Sequence, residues 1–348
     1  MDTQILSLCP EALAQAGARI REGQLVAFPT ETVYGLGANA MDPCAVSRIF
    51  EAKGRPGDNP LIIHISALDQ LSSLIDGAPN AMAQRMMSAF WPGPLTMIFP
   101  KSDQVPLCVT AGLDTVAIRF PAHPAARALI DAANRPIAAP SANRSGRPSP
   151  TTAQHVWEDM AGRIPLILDG GPCEVGVEST VVDVCGGEPR ILRPGGVTRE
   201  MIAQVAGSAS VDAAVMRPLL PDERPRSPGM KYRHYAPQGQ LTIIDGQEEA
   251  VAKTICSLYD SALSEGHRPL ILALEPHRAA YAGRKTLSLG RDAGAMAHNI
   301  FAVLREADAM GADRLFSEAV DAEGVGLAVM NRLGRAAAFH IVHAEDAK

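Results

Sequence analysis

Lys53 and Arg55 stand one residue apart in the stretch KGRPGDNPL, residues 53–61. Ahead of them, residues 43–52 place Val46, Ile49 and Phe50 at helical spacing, and Gly54 is a natural terminator for that helix. Arg55 precedes Pro56, which pushes its backbone into an extended conformation. Residues 61–65, LIIHI, then read as a strand. Both cations are therefore expected to leave the helix end on a short, stiff loop and to spare the core. Two such groups at an element junction suit a phosphate-bearing ligand, because they offer directed, charge-assisted hydrogen bonds. The pattern alone is weak, since a Lys-x-Arg at a helix end commonly serves only to offset the helix dipole.

Further polar loops of the same kind follow apolar strands. Residues 25–28 form a strand that opens into PTETVYGLG (29–37), and residues 137–140 run into SANRSGRPSPT (141–151), with a helix over 152–161. GVEST (176–180) leads into a strand at 181–184, and Ile191-Leu192 leads into Arg193-Pro194-Gly195-Gly196. Open α/β sheets place ligands at such strand ends.

The elements that must position these loops fill a chain of 348 residues with 47% hydrophobic content, enough for two cores. A formal charge of −6 argues against a general nucleic-acid binder. No basic leader precedes an apolar run and no run approaches a membrane span, so a soluble, cytoplasmic protein is expected. Six scattered cysteines without a C-x-x-C pair are expected to be reduced and mostly buried. His340 and His343 lack a third ligand nearby, and no structural metal is expected. Prolines 218, 221, 225, 228 and 237 mark a linker. Beyond it, strands at 241–245, 269–274, 286–289 and 314–319 alternate with helices at 248–264, 293–310 and 326–337. The fold class is α/β: a twisted α/β-sheet domain over 1–208, a linker over 209–239, and a small Rossmann-like parallel-sheet domain over 240–348. No G-x-G-x-x-G follows the first strand of the last domain, which argues against a dinucleotide there.

The motifs PTETVYGLG, KGRPGDNPL, SANRSGRPSPT, GVEST and LRPG, in this order, resemble those of the YrdC-like family, enzymes that make threonylcarbamoyl-adenylate. SPGMKYRHYAP (227–237) is similar to the linker of the two-domain form of that family. The resemblance spans residues 10–237 and implies a condensation of L-threonine, bicarbonate or CO2 and ATP. It implies a threonine pocket of Thr32, His64, Arg119, Ala139 and Ser179. On the ATP side it implies Arg55, Asn59, Thr115, Ser141, Asn143, Ser149, Arg193 and Tyr232, with Lys53 beside Arg55 as electrostatic groups. No protein nucleophile is needed; charge offset and positioning suffice. Mg2+ would arrive on the ATP phosphates, and no organic cofactor is implied. The linker is expected to act as a lid over a hydrolysis-prone adenylate. A downstream tRNA-modifying threonylcarbamoyl transferase is the implied partner, with no stable nucleic-acid binding by this chain. Carbamoyl-transferring hydrogenase-maturation proteins share the fold but carry an acylphosphatase-like module and cysteine-rich zinc fingers, which this chain lacks. An RNA-binding module using a basic cleft is the other alternative, and the net charge opposes it.

Overall fold

A computed structural model describes residues 1–218, 223, 225–227 and 235–344. The chain divides into two compact units, one comprising 1–145, 149–215 and 219–231, the other 146–148, 216–218 and 232–348.

In the first unit the strands are β1 (Gln4–Ser7), β2 (Val26–Phe28), β3 (Gly35–Asn39), β4 (Ile62–His64), β5 (Leu95–Pro100), β6 (Thr115–Arg119), β7 (Ile137–Ala138), β8 (Leu166–Asp169), β9 (Thr180–Asp183), β10 (Arg190–Arg193) and β11 (Ser210–Val211). They form one sheet in the order β1-β8-β2-β3-β7-β4-β6-β5-β9-β10-β11. Its helices are α1 (Pro10–Arg21), α2 (Pro43–Lys53), α3 (Ala81–Phe90), α4 (Leu107–Thr110), α5 (Pro124–Ala133), α6 (Ala153–Met160) and α7 (Arg199–Ala206). The sheet extends past residue 208, because β11 pairs in parallel with β10. Strand β11 therefore occupies the first residues of the expected linker, ahead of its prolines.

Local chemistry sets the helix ends. Asp42 caps α2 by accepting from the Cys44 amide, Pro43 occupies the first turn, and Gly54 closes the helix in the left-handed region at φ 63°. Thr152 caps α6 by accepting from the His155 amide.

The three middle strands β4, β6 and β5 are the frame for the site. β4 runs parallel to β6 with Ile62 beside Ala117 and His64 beside Arg119. β5 runs antiparallel to β6 with Thr96 beside Arg119 and Ile98 beside Ala117. Strand alternation sends Val116 and Ile118 to the large core with Ile63, Met97 and Phe99. The other face carries Thr115, Ala117 and Arg119, and there Ala117 joins a small buried cluster with Ile62, Ile98, Val181 and Leu192.

The second unit is a five-stranded sheet of β12 (Gln240–Asp245), β13 (Pro269–Leu274), β14 (Thr286–Gly290), β15 (Arg314–Glu318) and β16 (Ile341–His343). Every recorded pairing is parallel, in the order β14-β13-β15-β12-β16. Helices α8 (Glu248–Ser264), α9 (Ala293–Ala309) and α10 (Gly326–Ala336) connect the strands. Ile244, Ile255, Ile271 and Phe316 contribute to its core. Strand β16 has no counterpart in the sequence reading, since its three residues are too few for a period to show. His340 precedes it and His343 ends it, on separate partners, Thr242 and Asp245 respectively.

All six cysteines are free, but only Cys173 is buried, against the expectation that most would be; Cys9, Cys44 and Cys185 are exposed. The reason is positional: Cys9 caps α1, Cys44 lies in the first turn of α2, and Cys185 follows β9. Among the described residues no helix is long and apolar enough to cross a membrane.

Candidate active site

Arg119 ends β6 with its side chain almost wholly buried. Its NH2 lies 2.6 Å from Glu31 Oε1 in an ion pair whose side chains are 4% and 6% exposed. Its NH1 donates to Thr32 Oγ1 at 2.8 Å and its Nε to the Gly93 carbonyl at 3.3 Å. Glu31 also accepts from the amides of Ala122 and His123. Burial alone would raise the Glu31 pKa, but Arg119 and these hydrogen bonds hold it below the ordinary carboxylate value. The loop after β2 is thereby fastened to the end of β6.

A row of side chains crosses the sheet at this level. His64 lies beside Arg119, Arg119 beside Thr96, Thr96 beside Val181, and Val181 beside Arg193. Thr96 Oγ1 is 2.8 Å from Ser179 Oγ. Arg193 donates from Nε and NH2 to the Ser179 carbonyl, at 3.1 and 3.0 Å, and from NH2 to its hydroxyl at 3.1 Å. Gly195 permits this approach: a Cβ there would fall 2.4 Å from the Glu178 carbonyl and 2.5 Å from the Thr180 amide.

His64 is buried, and its Nδ1 has no hydrogen-bond partner among the described residues. Burial, reinforced by the Arg119 charge, pushes its pKa from 6.5 down to about 3. The ring is therefore neutral and meets Phe28 edge-on, with centroids 6.1 Å apart. A buried polar atom without a partner is a group that a ligand can satisfy. The Ala139 amide is committed to the Ile62 carbonyl at 2.9 Å, which fixes the chain next to His64. Thr32, His64, Arg119, Ala139 and Ser179 are thus held in one bonded or register-linked set.

The expected ATP-side residues fall into separate clusters. Lys53 is the last residue of α2 and its ammonium is buried, so it does not project from a loop as its sequence suggests. It donates to the carbonyls of Ser141 and Asn143, the latter at 2.7 Å, and to Asn143 Oδ1 at 3.4 Å. Burial and the Arg55 charge press its pKa well down, while Asp159 and Glu178 oppose that. Three oxygen acceptors match the three donors of an ammonium. Ser141 Oγ donates to Asn143 Oδ1, and a bridge pairs Ser141 with Gly35. Arg55 also turns inward: it is buried, its NH2 donates to the Asn59 carbonyl at 3.1 Å, and its guanidinium lies over Phe50. With its side-chain amide turned to satisfy both ends, Asn59 donates to the Ser227 carbonyl at 3.3 Å, and Arg226 pairs with Asp183, so Arg226 and Ser227 lie against the sheet of the first unit. Ser149 Oγ donates to the buried Glu178 at 2.5 Å.

Thr115 begins β6 on the same face as Arg119, about 13 Å away at roughly 3.3 Å per residue. The strip of Ile62, Ala117 and Ile98 lies between those two levels. Tyr232 lies outside the described residues. Glu31, Thr30, Thr96 and Glu178 were not among the expected site residues. Glu31 and Thr30 sit inside PTETVYGLG and Glu178 inside GVEST, but Thr96 has no motif around it and is found only through its strand register.

Two family models match the chain. One, the Sua5, YciO and YrdC model described as telomere recombination, covers residues 18–195. The other, described as the C-terminal domain of threonylcarbamoyl-AMP synthase, covers residues 197–338. Among curated proteins, the threonylcarbamoyl-AMP synthase of Pyrococcus abyssi is 48% identical over 94% of each chain. That of Bacillus subtilis is 47% identical over 98% of this chain and 97% of its own. The crystal structure of P. abyssi Sua5 complexed with L-threonine matches with a TM-score of 0.92 at 46% identity, covering 98% of this chain and 99% of that one.

The Lys53 contacts alter what its removal should do. Lys53→Met removes the Lys53 hydrogen bonds to the Ser141 and Asn143 carbonyls, so a stability loss of about 1–3 kcal/mol is expected with the loss of activity. An unchanged urea midpoint would refute the anchoring role. For His64, the unfolded chain takes up a proton on acidification below pH 6.5 that the folded chain refuses until about pH 3. Stability is therefore full above pH 6.5 and falls through that window. Between pH 6 and 4 the slope of unfolding free energy should be shallower in His64→Gln, by up to ~1.4 kcal/mol per pH unit. Parallel curves for the two proteins would contradict the buried neutral imidazole.

Proposed function

The chain belongs to the threonylcarbamoyl-AMP synthase family, and on that premise we propose that it condenses L-threonine, bicarbonate or CO2 and ATP to threonylcarbamoyl-AMP and pyrophosphate. The observation that carries this reading is the buried row of His64, Arg119 and Thr96, flanked by Thr32 and Ser179 and continued to Arg193.

Each group has a task that its chemistry fits. Arg119 supplies charge and N–H donors for the amino-acid carboxylate while Glu31 keeps its fork oriented. Neutral His64 offers a hydrogen bond without adding charge. Thr32 and Ser179 hold polar ends of the amino acid by their hydroxyls. Arg193 and Arg55 offset the negative charge of carbamate and triphosphate as the two anions approach. Lys53 keeps the 141–143 backbone in place, so Ser141 and Asn143 meet the nucleotide from a fixed loop. The strip of Ile62, Ala117 and Ile98 forms a water-poor floor along which the nucleotide runs toward Thr115.

The reaction needs the carbamate oxygen in line with the α-phosphate and the departing pyrophosphate, and it needs no covalent protein intermediate. ATP enters as Mg·ATP, so the metal is part of the substrate and is held by its phosphates. The lid role expected of residues 227–237, including Tyr232, falls on positions most of which lie outside the described residues. The product passes in the cytoplasm to a tRNA-modifying threonylcarbamoyl transferase, which attaches it next to the anticodon.

Pyrophosphate release from Mg·ATP by the purified full-length chain should require both L-threonine and bicarbonate. Equal release with L-threonine omitted would overturn the assignment.

A further inference from the structure

The hydroxyl protons around Thr32 can be assigned one by one. Thr30 Oγ1 lies 2.6 Å from the Val33 carbonyl, which can only accept, so the single Thr30 proton is placed there. The same oxygen lies 3.2 Å from the amides of Thr32 and Val33, two long contacts that share one of its two lone pairs and leave the other for a closer donor. In the 2.8 Å contact between the two hydroxyls, Thr32 must then be the donor. Thr32 Oγ1 also receives Arg119 NH1 at 2.8 Å. With its proton given to Thr30 and one lone pair given to Arg119, Thr32 keeps one lone pair and nothing to donate. Thr30 and Thr32 are both buried, so no bulk water rearranges this order.

The other side of Arg119 has the opposite polarity. Ser179 Oγ accepts from Arg193, and it shares one further hydrogen bond with Thr96 Oγ1. Two hydroxyl protons serve that pair and one contact consumes one of them, which leaves one O–H free to donate.

We infer that Thr30 is a positioning residue that makes Thr32 an acceptor only, so that Thr32 takes an N–H of the substrate amino group while the Ser179–Thr96 pair donates to its carboxylate. The amino group is chosen over the side-chain hydroxyl because it lies one carbon from the carboxylate that Arg119 attracts, and Thr32 is bonded to that same guanidinium. The inference deepens the threonine-binding reading above and rests on it. An acceptor at the amine also leaves the nitrogen lone pair directed away from Thr32, the direction from which carbon must arrive.

The test is calorimetric binding of L-threonine to the full-length protein, with steady-state KM and kcat alongside. Thr30→Val should weaken L-threonine binding roughly 10- to 100-fold, leave the KM for ATP within about twofold, and lower kcat less than it raises the KM for threonine. Thr30→Ser, which restores the hydroxyl, should recover binding to within about threefold. Because Thr30 acts through Thr32, the double variant Thr30→Val/Thr32→Val should bind no more weakly than Thr32→Val alone. L-2-aminobutyrate, which lacks the hydroxyl, should suffer the same fold-loss from Thr30→Val as L-threonine. Unchanged threonine binding in Thr30→Val, additive losses in the double variant, or a penalty that vanishes with 2-aminobutyrate would each overturn the inference. Should the unmutated protein itself fail to bind L-threonine, the fault lies with the proposed function instead.

Discussion

The buried ion pair between Arg119 and Glu31 is the constraint on which the site depends. A guanidinium removed from water is strongly unfavourable unless a counter-charge and hydrogen-bond acceptors replace the solvent. Here Glu31, Thr32 and the Gly93 carbonyl do so, and they come from two loops distant in sequence from β6. Losing one member of such a pair costs about 3–5 kcal/mol, because the other charge is stranded. The pair therefore links the loop after β2, the turn before β5 and the end of β6, three segments that share no helix. Its charge also acts on its neighbour: burial and Arg119 together keep His64 neutral one strand away.

Around that pair the basic residues divide into two kinds of work. Lys53 gives its donors to the 141–143 backbone, so its charge is used within the protein to shape a loop. Arg193 instead lies along the row of the site and bonds Ser179 by both its backbone and its hydroxyl. Adenylation requires both, since anions can be brought together only on a surface whose donors are already aimed. Small residues allow the closeness: Gly195 meets the backbone of 178–180 where any Cβ would collide.

The second unit follows a different rule. Its parallel sheet buries apolar strands on both faces, and a carboxylate is tolerated at the end of β15 only with partners. Glu318 accepts from Tyr281 at 2.6 Å and lies 2.8 Å from His277 Nδ1, which lifts the Tyr281 pKa by burial and by the adjacent carboxylate. The polar atoms of the two units are thus handled alike, by local pairing, although their topologies differ.

Much of this was legible in the sequence because it depends on local order. The helix over 248–264 and the strand over 269–274 fall where their periodicity places them, and α2 stops at Gly54 as a left-handed cap requires. The five ordered motifs identify the family, while their residues divide between the row across the sheet and separate clusters around Lys53, Arg55 and Ser149. What the sequence misjudged is burial and direction. Lys53 and Arg55 look like loop cations, yet both turn inward, because only tertiary folding brings the 141–143 carbonyls and the Asn59 carbonyl within reach. Thr96 carries no motif and matters through a register that sets it beside Arg119, a pairing between strands that no window along the chain contains. The chain alone determined the elements with a clear period or cap, and which chemistry the loops between them carry. The tertiary structure decided which charges face each other and which side chains are buried together, since those depend on contacts between residues far apart in sequence.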